Sequence, residues 1–166
     1  MLVCETPRLL IRRLDATDTP FILRLLNEPS FLENIGDRGV RALDDARAYL
    51  AKGPLASYEQ HGFGLFHVSL KAGGAPIGMC GLLKRDWLDA PDVGFAFLPE
   101  FWSKGYGYES SAGVIEWGRT LGITRVVGIV KPGNTGSIRV LEKLGMTFDR
   151  TVTSPEGQVS SLYVPK

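Results

Sequence analysis

Apolar residues recur along the chain with two different periods, and the changes of period outline its elements. Arg8 to Leu14 is rich in Leu and Ile and reads as a first strand. Asp18 followed by Pro20 marks a helix start, and Phe21, Ile22, Leu25 and Leu26 supply its apolar stripe. A polar, glycine-punctuated loop runs from Asn34 to Arg41. Asp44 and Asp45 then place acid in the first turn of a second short helix carrying Ala46, Tyr49 and Leu50. From residue 63 the period is two: Phe66, Val68 and Leu70 alternate with Leu65, His67 and Ser69, which predicts a half-buried strand. Ala72-Gly-Gly-Ala75 turns it into a returning strand, Ile77 to Leu83, and Asp92 to Leu98 is a further strand ended by Pro99.

The helical period returns at Tyr106 to Leu121, with Val114, Ile115, Gly118 and Leu121 on one face and Gly122 as the stop. Arg125 to Val130 is a short β-branched strand. Asn134 or Thr135 caps a last helix with Ile138, Leu141 and Leu144 inward and Gly145 as its stop. Thr147 to Val152 and Val159 to Val164 form a closing strand pair. Hairpins followed by strands alternating with helices predict an α+β fold, a mixed sheet covered on both faces. No repeat, low-complexity tract or Pro/Ser-rich linker divides the chain, so residues 1–166 are read as a single domain.

Composition narrows the function. With 44% hydrophobic and 22% charged residues the chain is an ordinary globular one. Charge is flat along it: residues 1–83 carry 9 Lys+Arg against 9 Asp+Glu, and residues 84–166 carry 10 against 9. That leaves no basic footprint for nucleic acid or an anionic membrane. Cys4 and Cys80 are too few for a disulfide framework or a metal-ligand set, so no metal is expected. Glu5 and Arg8 interrupt the N-terminal apolar residues, which argues against a signal peptide. The longest charge-free apolar stretches, such as Ala72 to Leu83, fall well short of the roughly 20 residues of a spanning helix. A cytoplasmic protein is expected.

One segment carries candidate chemistry. In Asp92-Val-Gly-Phe-Ala-Phe-Leu-Pro-Glu-Phe-Trp-Ser-Lys-Gly-Tyr-Gly-Tyr-Glu109 a strand ends, a loop of bulky residues follows, and Lys104-Gly-Tyr-Gly-Tyr108 leads into a helix. Such a turn aims backbone N–H groups and a helix dipole at one spot, where a phosphate or pyrophosphate binds. A β-carbon at Gly105 or Gly107 would hold the anion away. The dinucleotide fingerprint fails because its last glycine place is Ser110 and the next strand lacks the ribose-binding acid. A P-loop fails because the chain has no Gly-Lys pair.

The loop resembles the Q/R-x-x-G-x-G/A loop of the GNAT acetyltransferases. One strand downstream, Asn134-Thr-Gly-Ser-Ile-Arg-Val-Leu-Glu-Lys-Leu-Gly-Met-Thr-Phe148 resembles that family's N-x-x-S-x-x-x-x-x-K-x-G-F signature. Glu5-Thr-Pro-Arg-Leu-Leu-Ile-Arg-Arg-Leu14, Asp92-Val-Gly-Phe95 and Pro99-Glu-Phe-Trp-Ser-Lys-Gly-Tyr-Gly107 are similar to the ribosomal-protein N-terminal acetyltransferase (RimJ/RimL-like) branch. Trp102 stands where the general motif has Gln or Arg, and Met146-Thr-Phe148 replaces the usual Gly-Phe end.

The resemblance implies a GNAT fold, a mostly antiparallel sheet of about seven strands whose fourth and fifth strands splay apart. By position these are Asp92 to Leu98 and Arg125 to Val130. It implies acetyl-CoA as co-substrate and direct attack of an acceptor amine on the thioester. The backbone of Phe97 and Leu98 would hold the pantetheine arm and polarise its carbonyl. Lys104, Gly105, Tyr106, Gly107 and Tyr108 would hold the pyrophosphate, and Asn134 the arm. Ser137 would hydrogen-bond the departing sulfur, directly or through water.

Asp92 is the candidate general base, sharing strand parity with Gly94, Ala96 and Leu98. Glu100 and Glu109 read as loop and helix-start charges, His67 as structural unless it reaches the cleft, and Cys80 as core. The acceptor wall would be Asn27 to Arg41 with residues near Tyr58 to Gly62. A peptide N-terminus is the first expected acceptor and a small-molecule amine the second. A non-catalytic acyl-CoA-binding module is the alternative. Exposed edge strands toward the C-terminal end would suit a homodimer.

Overall fold

A computed structural model describes all residues from 1 to 166. Two antiparallel sheets share the chain. The first contains β1 (Leu2–Glu5), β2 (Leu9–Arg12), β3 (Leu65–Leu70), β4 (Pro76–Leu83) and β5 (Asp92–Phe97), side by side in that order. The second contains β6 (Gly128–Val130), β8 (Val159–Pro165) and β7 (Met146–Thr153), with β8 central and β7, largely exposed, at the edge. They meet at one point, where Val93 N–H donates to Val127 O and Val127 N–H donates to Pro91 O, both at 2.9 Å. Beyond this parallel bridge between Asp92 and Val127, β5 stays with β4 and β6 with β8. The fourth and fifth strands of the expected sheet, β5 and β6, therefore open like a V.

The strand count is eight rather than about seven. The segment read as one strand from Arg8 is the second arm of a hairpin whose first arm, β1, is a partly exposed edge strand. The strand Leu65–Leu70 is buried on both faces, not half-buried, because helices cover both sides of the sheet. On one side lie α1 (Thr19–Leu26), α2 (Pro29–Asn34) and α3 (Leu43–Leu50), packed through Ile22, Leu25, Phe31 and Leu50 against Met79 and Leu98. On the other lie α5 (Tyr106–Arg119) and α6 (Thr135–Lys143), with Val114 and Leu141 against Phe66, Cys80, Leu82 and Val93. Leu121, expected on the inward face of α5, is 48% exposed because the helix ends at Arg119. No helix is long and apolar enough to cross a membrane.

Two local departures shape the side of the sheet that carries α3. Asp18 stands at the N-cap of α1 with Pro20 just inside, as expected, but its side chain does not cap that helix. Asp15 caps a single 3-10 turn, Ala16–Asp18, and the buried Asp18 carboxylate reaches back to accept Asp15 N–H at 2.9 Å. After α3 the helix widens into a π-turn, Ala51–Leu55, and resumes as α4 (Ala56–His61). Pro54 sits inside the widened turn, where its missing N–H is accommodated by the altered bonding pattern. Tyr58 of α4 then locks the assembly: its hydroxyl accepts Leu14 N–H at 3.1 Å and donates to Leu65 O.

Candidate active site

Strand β5 determines what the V offers a ligand. Leu98 N–H donates to Ile77 O at 2.9 Å, so residues of that parity (Asp92, Gly94, Ala96, Leu98) direct their backbone toward β4. The opposite parity faces the gap. Val93 uses its N–H at the vertex, while Phe95 and Phe97 lie beyond it, along the opening. Of the pair expected to hold the arm, Phe97 presents backbone to the gap and Leu98 does not; its side chain is buried beside Met79 as well. Phe95 shares the parity of Phe97.

The loop after β5 converges on the same gap. A 3-10 turn at Pro99–Phe101 is followed by Ser103 at φ +60°, the one residue other than glycine in the left-handed region, and by Gly105 at φ +85°. Left-handed backbone on both sides of Lys104 leads directly into the N-terminus of α5, a geometry that gathers N–H groups for an anion. Gly107 has a different task. A β-carbon there would stand 3.4 Å from Val140 Cγ2 of α6 and 3.9 Å from the Phe95 ring, so this glycine lets α5 sit close to α6 and β5. Cations surround the turn: Arg8 lies over the Tyr106 ring and Lys143 over that of Tyr108, each at 4.4 Å.

Glu109 is more than a helix-start charge. It accepts Thr6 Oγ1 at 2.5 Å, Arg8 N–H at 3.0 Å and Arg8 Nε at 2.7 Å, pinning the β1–β2 turn to the first turn of α5. Partial burial raises its pKa, but the Thr6 and Arg8 bonds outweigh that and leave it below the ordinary glutamate range. Glu100 pairs with Arg24 at 3.0 Å, tying α1 to the same loop.

Across the V, the Asn134 side chain caps α6, its Oδ1 accepting Ser137 N–H at 3.4 Å. That is the long limit of a hydrogen bond. The Ser137 hydroxyl is half-buried and has no partner within the chain, so its donor is free. The approach of Gly107 to Val140, with Lys143 over Tyr108, sets the first turn of α5 against the later half of α6. Lys131, just after β6, donates to Glu33 O at 2.7 Å and brings α2 to the same mouth.

Asp92 sits at the vertex, only 2% exposed, with Oδ1 accepting Arg85 Nε at 2.9 Å. Burial raises its pKa above the ordinary aspartate range, and the Arg85 guanidinium opposes that rise. Its cross-strand neighbour is Leu83. Leu83 and Leu65 floor a groove of about 250 Å³, walled by Tyr49, Lys52, Pro54, Ser57, Gln60, His61 and Lys84. Of the residues expected near an acceptor, Gln60 and His61 line this groove. The rest comes from the π-turn and the end of β4, segments that approach only in the folded chain.

His67 does not reach a cleft. It is buried, its ring 5.4 Å from that of Phe21 and its Nε2 3.9 Å from Asp18 Oδ1, and its Nδ1 has no partner. Cys80 is fully buried, 3.6 Å from Ser111 Oγ, with a thiol pushed up to about 11 by burial, which makes it inert as a nucleophile. No three His, Cys, Asp or Glu side chains gather as a metal site requires.

The two sheets splay apart beside a turn with left-handed Ser103 and Gly105 that leads into α5. The sequence comparison is specific: residues 8–147 match the acetyltransferase (GNAT) domain, and the chain belongs to that family of N-acetyltransferases. An uncharacterized N-acetyltransferase of Bacillus subtilis, YnaD, is 28% identical over 142 residues, 85% of this chain and 80% of that one. Among solved structures, RimL, a ribosomal L7/L12 alpha-N-protein acetyltransferase in complex with coenzyme A, shares the fold with TM-score 0.82 at 14% identity, covering 99% of this chain and 97% of that one. AAC(6')-Ib in complex with ribostamycin and coenzyme A gives TM-score 0.78 at 20% identity, covering 95% and 93%.

Proposed function

We propose that this chain moves an acetyl group from acetyl-CoA to a primary amine by direct attack, and that an α-amine, first a peptide N-terminus, is its acceptor. The observation that carries the reading is the backbone of Phe95 and the N–H of Phe97, facing the V beside the first turn of α5. An extended amide-bearing arm fits there as a strand does, and a thioester carbonyl at that edge meets an N–H donor. Gly105, with Lys104, Tyr106, Gly107 and Tyr108 around it, forms a cradle for the pyrophosphate at the helix N-terminus. Asn134, bound only loosely to Ser137 N–H, has lone pairs to spare for the arm.

In this reading the amine lone pair attacks the thioester carbon, the carbon–sulfur bond breaks, and the sulfur leaves beside the free hydroxyl of Ser137. A serine hydroxyl is too weak an acid to protonate a thiolate of pKa about 8.5, so Ser137 acts as a hydrogen-bond donor. Asp92 takes the amine proton through water, and burial makes it a stronger base than an exposed aspartate. An α-amine has pKa about 7.7–8.0, so roughly a tenth is already neutral at pH 7, against about one lysine side chain in a few thousand. A buried, indirect base suffices for the first and not for the second. The RimL complex supports a peptide acceptor by analogy of fold, and the AAC(6')-Ib complex supports a small-molecule amine.

Thiol release from acetyl-CoA tests the reading, with a pool of short peptides bearing free N-termini set against a pool of small amines. Turnover with the peptides is expected. Turnover confined to the amines would replace the acceptor and keep the mechanism, and no turnover with either pool would overturn the transferase reading of this site.

A further inference from the structure

The groove beside Asp92 has a charge that narrows the acceptor further. Its floor, Leu65 and Leu83, flanks Gly94 of β5: a β-carbon at Gly94 would stand 3.3 Å from Leu83 Cδ1 and 3.6 Å from Leu65 Cδ2. The groove thus lies over β3 and β4 at Leu65 and Leu83, and β4 is about one strand spacing (~4.8 Å) from β5, the strand that borders the V. Lys52 and Lys84 stand on its rim with His61, and none of its eleven lining residues is acidic. Both lysines are exposed, and Lys71 is the only lysine of the chain in an ion pair, so neither head has an internal counter-charge. A shallower depression continues from Tyr49, Lys52 and Gly53 and adds Arg38, likewise without an ion pair. The one carboxylate there, Asp45, is engaged at the start of α3, accepting Arg41 N–H and Ala42 N–H at 3.0 Å each.

Resting on the transferase reading above, we infer that the acceptor carries a carboxylate close to its reacting amine, and that Lys52 and Lys84 bind it. A chain of net charge +1 has no global field to explain such a local excess. The excess has two chemical consequences. It attracts an anionic group to the groove, and it disfavours a second cation there, so the acceptor amine enters in its neutral, nucleophilic form. Polycationic acceptors, polyamines and aminoglycosides among them, meet the wrong sign of charge. A carboxylate close to an α-amine occurs in any free amino acid, with a second one in aspartate and glutamate, and at a peptide N-terminus beginning with Asp or Glu. The groove recognises the chemistry they share.

The test measures initial rates of thiol release with aspartate, glutamate, peptides beginning Asp or Glu, the same peptides with Asn or Gln, and spermidine. Acidic acceptors are expected to show KM about tenfold below their amide counterparts, with spermidine the poorest. Lys52→Gln and Lys84→Gln are each expected to reduce that acidic-over-amide preference several-fold, and Lys84→Glu to reverse it. The preference should also shrink as salt rises from 0.05 to 0.5 M, since both cations are exposed. Activity with the two free amino acids alone identifies a small-molecule acceptor, and activity with the peptides alone a protein N-terminus; either supports the inference. Equal KM for acidic and amide acceptors, or equal losses on both in the variants, overturns it while leaving acetyl transfer intact.

A second readout needs no turnover: calorimetric titration of the CoA-saturated protein with N-acetylglutamate and its uncharged diamide. Binding of the first that is lost in Lys52→Gln/Lys84→Gln supports the groove as a carboxylate site even if thiol release fails with every acceptor, an outcome that would sink the transferase reading alone. Equal binding of both ligands, or of neither, overturns the inference.

Discussion

The indole Nε1 of Trp102 donates to the carbonyl oxygen of Phe97 at 2.9 Å, across the loop that joins β5 to the anion-binding turn. Phe97 O is one of the few backbone acceptors facing the V, and the indole that reaches it is 47% exposed. Trp102 holds the place that Gln or Arg takes in the general loop motif, and here it covers the edge where the pantetheine arm would pair. An arm N–H aimed at the same carbonyl must share its lone pairs or displace the indole. Binding of coenzyme A is therefore expected to change tryptophan fluorescence, and Trp102→Phe to abolish most of that change although Trp87 and Trp117 remain. Losing a single exchangeable hydrogen bond, worth about 0.5–1.5 kcal/mol, should move the Kd for coenzyme A by no more than about tenfold. A fluorescence response preserved in Trp102→Phe would place the arm elsewhere.

The two glycines of the turn are expected to behave differently. Gly105, at φ +85°, resists any side chain: Gly105→Ala should cost about 1–2 kcal/mol of stability from backbone conformation and press on Arg8 Nη2, 3.2 Å away. Gly107 has helical backbone, and a single methyl there stands in ordinary contact with Val140, so Gly107→Ala should fold and bind coenzyme A nearly as the native chain does. Gly107→Val would instead drive a branched side chain into Val140 and Phe95, losing about 1–3 kcal/mol by overpacking. Thermal melts with and without coenzyme A separate these cases. An equal loss of ligand-induced stabilisation in Gly105→Ala and Gly107→Ala would refute the division of labour.

Much of this site was legible in the residues themselves because it is local. The strand ending at Pro99, the Gly-Tyr-Gly turn and the Asn134 cap each lie within one stretch of chain, and the helix starts at Tyr106 and Thr135 fall where turn and cap residues put them. The choice between Phe95 and Leu98 was a matter of parity: it requires knowing which strand neighbours β5, and that is a long-range fact. The charged groove was out of reach for the same reason. Lys52 rises from a π-turn that Gly53-Pro54 would sooner suggest as a helix stop, and Lys84 arrives from the end of a strand over thirty residues later. Asp18 and Pro20 mark the start of α1 as read, but the partner of the Asp18 carboxylate, Arg12, lies back in β2, where local reading does not reach.

The Arg85–Asp92 pair gives the pH profile a direction. As a base Asp92 must be ionised, so kcat/KM should rise with pH through its folded pKa on the acidic limb. Burial raises that pKa and Arg85 opposes the rise. Removing the guanidinium with Arg85→Met should carry the acidic limb to higher pH, whereas Asp92→Asn should remove it and lower kcat by about 10²-fold or more. Ser137→Ala, which deletes a donor to the departing sulfur, should lower kcat without moving the limb. An unchanged limb in Arg85→Met, or Asp92→Asn turnover within twofold of the native chain, would remove Asp92 from the mechanism.

A second buried acid controls stability rather than rate. Burial pushes Asp18 up, but the Arg12 guanidinium at 2.8 and 2.9 Å, together with Asp15 N–H, holds it below the ordinary aspartate range. His67 beside it is pushed below its ordinary value by burial and by Arg12, with Asp18 pulling the other way. Both folded pKa values are depressed, so both contributions are complete above the unfolded pKa and are lost as pH falls toward the folded one. The loss from His67 begins below about pH 6.5 and that from Asp18 below about pH 3.9. Asp18→Asn leaves Arg12 without its partner and should cost about 3 kcal/mol at neutral pH, with the deficit closing in strong acid. His67→Leu removes the unpartnered Nδ1 and should flatten the stability curve between pH 6.5 and 5. Denaturant midpoints measured from pH 3 to 8 decide both, and a His67→Leu curve parallel to that of the native chain would mean that His67 titrates alike folded and unfolded.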